Sequence, residues 1–179
     1  MPLAASADDQ CRIQISQPVM DFGVFNSGEL TTRTTRPNMV SLGKRQLQLS
    51  VTCPDPVRIA VTFHGMASGA GGFRMGDMGE FTLTFKDARL DGSEVLLGRA
   101  SRAEELPLKV EDAVRLLPNS YASPVVSGHL GVGRVFTVGV EIEAQVKAEV
   151  RKVRDRSILD GDGQFEVVTG APAPAQGAL

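Results

Sequence analysis

Cys11 and Cys53 are the only thiols in this chain, and the chemistry their placement allows is a disulfide. Cys53 is in phase with Leu47, Leu49 and Val51 in one alternating run, and Cys11 with Ile13 and Ile15 in another, so both thiols face the strand interior. They read as a single staple across a β-sandwich, formed in an oxidising compartment outside the cytoplasm. The alternative is two buried free thiols, because cysteine packs as a small hydrophobe. A bond between them closes a loop of roughly forty residues, for which the chain-entropy model gives about 4 kcal/mol of stabilisation.

Other reactive groups are sparse. The two histidines, His64 and His129, each border glycine at loop-like positions. Ser68, His64 and Asp77 make a triad only on paper, since no nucleophile-elbow motif surrounds any serine. Gly69-Ala70-Gly71-Gly72 lacks the Gly-Lys-Ser/Thr ending of a phosphate loop and opens no helix. Asp160-Gly161-Asp162-Gly163 resembles the start of a calcium loop but lacks the third ligand and the bidentate glutamate at the twelfth position, so it reads as a turn. The basic run from Arg151 to Arg156 either contacts an acidic glycan or balances Glu141, Glu143 and Glu149, and the second reading is favoured. Met66, Met75 and Met78 suit gap-filling better than an adaptable binding surface. These patterns predict no enzyme, no metal and no cofactor.

The elements that position these residues are strands. Leu47, Leu49, Val51 and Cys53 alternate with polar neighbours as one half-buried strand. Pro54-Asp55-Pro56 interrupts it by withholding amide donors, and Val57, Ile59, Val61 and Phe63 restart the alternation after a hairpin or a sheet crossing. Asp91-Gly92 signals a two-residue turn pairing Phe81–Leu90 with Val95–Leu97. The stretch 100–113 predicts a connection with one short helix. The longest alternation, Phe136 to Val146, has one buried and one wet face. A last strand carries Phe165 and Val167, and the Ala/Pro-rich residues 170–179 have nothing to pack. Short strands between glycine and proline turns predict an all-β, immunoglobulin-like antiparallel sandwich over residues 11–169, without the tryptophan of a true antibody domain.

At 179 residues the chain suits one domain, and its net charge of −2 gives no electrostatic footing for nucleic acid. No apolar run is long enough for a membrane-spanning helix. Ala5-Ser6-Ala7 has the small-x-small form of a signal-peptidase site, which would start the mature chain at Asp8; otherwise residues 1–10 are an ordinary flexible lead.

The chain resembles subunits of chaperone-usher pili, particularly fimbrial-like families of poorly annotated function. The likeness is carried by Cys11-Arg-Ile-Gln-Ile, Asp21-Phe22-Gly23, Leu42-Gly43-Lys44-Arg45 and Val51-Thr52-Cys53-Pro54. It continues through Phe73-Arg74-Met75-Gly76, Gly79-Glu80-Phe81, Ala88-Arg89-Leu90-Asp91-Gly92 and Gly163-Gln164-Phe165-Glu166, covering most of the chain.

Such a resemblance implies a sandwich lacking its final strand, whose apolar groove accepts a strand from a periplasmic chaperone and then from a neighbouring pilus subunit at an outer-membrane usher. The protein would be secreted via the periplasm to a cell-surface fimbrium. The groove would lie between the first strand, with Ile13 and Ile15, and the last, with Phe165 and Val167, unless the strand from Phe136 to Val146 borders it instead. Residues 1–10, whose only large aliphatic is Leu3, look unable to donate a strand. A tip adhesin or carbohydrate-binding module, with a host or surface glycan as partner, is the alternative, although stacking surfaces for sugars are scarce in this composition.

Overall fold

A computed structural model of the chain describes residues 1–7, 11–31, 34–36, 38–152 and 159–172. Its strands in chain order begin with β1 (Leu3–Ala7), β2 (Arg12–Ile15), β3 (Thr34–Arg36), β4 (Met39–His64), β5 (Phe73–Met75), β6 (Gly79–Leu90) and β7 (Ser93–Glu94). They continue with β8 (Leu96–Ala100), β9 (Val110–Glu111), β10 (Ala113–Leu116), β11 (Tyr121–Val126), β12 (His129–Leu130), β13 (Val132–Lys147) and β14 (Gly163–Gly170). One short helix, α1 (Ser27–Thr31), lies between β2 and β3. The Asn26 side chain caps it by accepting the Glu29 N–H, while Glu29 accepts the Asn26 N–H in return. No helix among the described residues is long and apolar enough to cross a membrane.

All strands belong to one hydrogen-bonded sheet folded over itself into two layers, the all-β, antiparallel, sandwich-like fold that the alternation predicts. The fold-over runs through β4. Its first part pairs with β13 and β2, and its second part, after Pro54 and Pro56, pairs with β14 and touches β11. The proline-marked interruption is thus a sheet crossing within one long strand. Opposite it, β13 shifts register between Gly133 and Val135, and the Asp91 carboxylate accepts the Arg134 and Val135 N–H groups at that point. Backbone donors freed by the bend are thereby satisfied.

The core fills the space between the layers. Phe136, Val138, Val140, Ile142, Ala144 and Val146 on β13 are all buried, as are Leu47, Leu49, Val51 and Cys53 on β4. Phe63 and Phe165 of one layer meet Phe81 and Phe85 of the other, with ring centroids 5.9 Å and 6.3 Å apart respectively. Cys11 and Cys53 are disulfide-bonded across the β2–β4 pair, so the free-thiol alternative does not hold.

Four expectations are corrected. After the Asp91-Gly92 turn, whose φ angles are +50° and +84°, Ser93 and Glu94 pair back onto β6 and the Val95 N–H donates to the Ala88 carbonyl; from Leu96 on, β8 crosses to the other layer beside β11. Residues 100–113 hold no helix, and Pro107 packs over Gly98 so closely that a Cβ there would lie 2.4 Å from it. The second part of β4 is covered on both faces, because Thr62 turns its hydroxyl to the Ser120 carbonyl and is buried with Ile59, Val61 and Phe63. Residues 1–10 are not simply a flexible lead: Leu3–Ala7 forms β1, and Leu3 is buried. The Ala/Pro-rich tail expected beyond Gly170 lies outside the described residues from 173 on, as does the basic run from 153 to 156.

Candidate strand-accepting edge

β14 is the element on which the candidate site is built. Its sequence alternates Gln164, Glu166 and Val168 with Phe165 and Val167, and the last two are buried while the first three are not. One edge of β14 is laddered to β4, with Phe165 opposite Phe63 and Val167 opposite Val61. The Phe63 and Phe165 rings sit edge-on with centroids 4.9 Å apart. Gly163 opens the strand because the Phe63 ring lies over it: a Cβ there would stand 2.1 Å from the ring.

Ile13 and Ile15 flank the other side of the same seam. They are half-buried on β2, paired with Val51 and Leu49 of β4, and pack against the core. β13 does not border the seam, because β4 and β6 occupy both of its edges. β2 and β14 are therefore the bordering strands of the two layers.

The seam between them is filled. β1 runs parallel to β14, with Leu3 opposite Gly163, Ala5 opposite Phe165 and Ala7 opposite Val167. Its start is tied on the other side to the segment after β2: the Leu3 N–H donates to the Pro18 carbonyl, Pro2 bridges Val19, and the Met20 N–H donates to the Met1 carbonyl. An open groove is thus replaced by one occupied in cis, and the residues at issue are Leu3 and Gly163 as well as the four expected. Leu3 was visible as the one large aliphatic of its segment, but its docking on the last strand has no local signal.

On the outer face, the imidazole of His64 on β4 is hydrogen-bonded to the Glu166 carboxylate on β14 across the ladder. The groups assembled above as a triad are engaged elsewhere: Ser68 accepts the Ala70 and Gly72 N–H groups, Asp77 pairs with Arg74, and His64 holds Glu166. His129 is exposed on β12. Asp160 and Asp162 lie in the irregular segment before β14, where the Asp160 carbonyl accepts the Gly76 N–H. Among the described residues no group of three or more histidine, cysteine or acidic side chains is placed to hold a metal.

The strongest electrostatic feature lies away from the seam, on the outer face of β4, β6 and β13. Glu141 accepts from Lys86 at 2.8 Å, and Lys44 stands 3.3 Å away. The Lys86 hydrogen bond holds the Glu141 carboxyl below its ordinary pKa against opposition from burial, with Lys44 adding to the effect. The same bond raises Lys86. Of the eight phenylalanines only Phe25 is not buried, and the one tyrosine, Tyr121, is partly exposed.

Neither protein-family models nor curated proteins match the chain.

Proposed function

We propose that this protein is a structural assembly subunit of the chaperone-usher pilus type, secreted through the periplasm, whose β14 edge accepts a strand from a chaperone or a neighbouring subunit. The observation that carries the reading is the asymmetry of β14. One edge is laddered to β4 from Gln164 to Gly170, and the other meets only a five-residue strand rich in alanine, from Gly163 to Val167. Among the described residues no strand follows β14 to complete the sandwich from the chain's own end. An added strand satisfies edge amides through the ladder and gains specificity through side chains at alternate positions. The Cys11–Cys53 bond suits an oxidising compartment, and the order of motifs around it resembles that family.

Size-exclusion chromatography of the chain with a two-domain periplasmic pilus chaperone and its usher tests this. A stable one-to-one complex is expected, with added amide protection in β14. No complex, and β14 amides unaltered by the chaperone, would overturn the proposal.

A further inference from the structure

The edge of β14 is held by an occupant that is weaker than the strand on its opposite side. β1 pairs in parallel, whereas every other strand pair in the sheet is antiparallel. Parallel bonds are slanted and slightly less stable per residue. The strand is Leu3-Ala-Ala-Ser-Ala7, so it can bury little apolar surface beyond that of one leucine. On the opposite edge, β4 brings Phe63, Val61 and Ile59 to the ladder. Of its further ties, only the Leu3 N–H to the Pro18 carbonyl belongs to the strand itself; the others are made ahead of it, by Pro2 to Val19 and by Met1, whose carbonyl and amino group bond to Met20 and whose amino group stands 3.9 Å from Asp160.

We infer that Leu3–Ala7 is a replaceable strap that gates access to β14. While docked, it satisfies amides that would otherwise recruit stray strands. It yields to an extended segment of another polypeptide with valine, isoleucine or phenylalanine at alternate positions, because those side chains bury apolar surface that alanine and serine cannot. This rests on the strand-accepting reading and adds the regulation of the same edge.

Apparent affinity for an incoming strand is reduced by the fraction of molecules in which the edge is free. A strap docked in nine-tenths of molecules or more weakens binding at least about tenfold. The probe is a fluorescent peptide about ten residues long that alternates Val/Ile with Thr/Lys. Its anisotropy is titrated with the full chain, with a chain beginning at Asp8, and with the full-length Leu3→Asp variant, which places a charge where Leu3 is buried. Val24→Asp, at a position 86 % exposed, controls for the added charge.

The shortened and Leu3→Asp chains are expected to bind at least about tenfold tighter than the full chain, and Val24→Asp to bind like it. If the shortened chain does not fold, the Leu3→Asp chain carries the comparison. Equal binding by all forms overturns the strap and leaves strand acceptance standing. Absence of binding to folded Leu3→Asp and shortened chains, with β14 amides as protected there as in the full chain, overturns strand acceptance and the strap with it.

Discussion

Replacing Phe165 with alanine removes a fully buried ring from the place where the two layers meet. The ring stands 4.9 Å from that of Phe63 and 6.3 Å from that of Phe85. Core Phe→Ala truncations cost about 3–5 kcal/mol, through lost transfer energy and the cavity left behind. Aromatic pairs add about 0.5–1.5 kcal/mol beyond their area, which places this site in the upper part of that range, about 4 kcal/mol. In urea, with a slope of about 2 kcal/mol per molar, the unfolding midpoint of the oxidised protein should fall by about 2 M without a change in slope. Val24→Ala, at an exposed position, should stay within about 0.5 kcal/mol of wild type. A fall of less than about 0.5 M for Phe165→Ala, equivalent to about 1 kcal/mol, would refute the reasoning. It would mean that β14 is not consolidated with the core in the free protein.

Replacing Cys11 and Cys53 together by serine should lower stability by about 4 kcal/mol, read from the same urea titration, and intact mass after alkylation should show both thiols protected in the oxidised wild type. Gly163→Ala forces a Cβ to within 2.7 Å of the His64 carbonyl and against the Phe63 ring, so a loss of about 1–3 kcal/mol is expected in thermal or urea unfolding. Glu141 has a depressed pKa in the fold, so its contribution is present above the unfolded-state value and is lost as pH falls through the folded-state value. Glu141→Gln should therefore be less stable than wild type at neutral pH, and the difference in urea midpoint should vanish at the acid end of the titration.

Local sequence determined which residues become strands and which side faces inward. The period-two runs at Leu47–Cys53 and Phe136–Val146 bury the side chains their alternation marks, because the pleat sends successive side chains to opposite faces whatever the partner strand. The in-phase cysteines and the Asp91-Gly92 turn were legible for the same reason: strand phase and left-handed turn geometry are set within a few residues. Partnership was not legible. Whether Pro54–Pro56 ends a strand or bends one depends on β13 shifting register opposite it, and Thr62 is buried only because Ser120, far along the chain, accepts its hydroxyl. The pairing expected between residues 81–90 and 95–97 failed after Val95, where β8 leaves for a neighbour, β11, that alternation cannot specify. The candidate site divides the same way. Ile13, Ile15, Phe165 and Val167 were legible as inward-facing residues of the first and last core strands, whereas the occupant of the seam between them was not. Leu3–Ala7 has almost no apolar periodicity of its own, and it is a strand because β14 offers an unpaired ladder edge, a property that exists only once the sheet has been assembled.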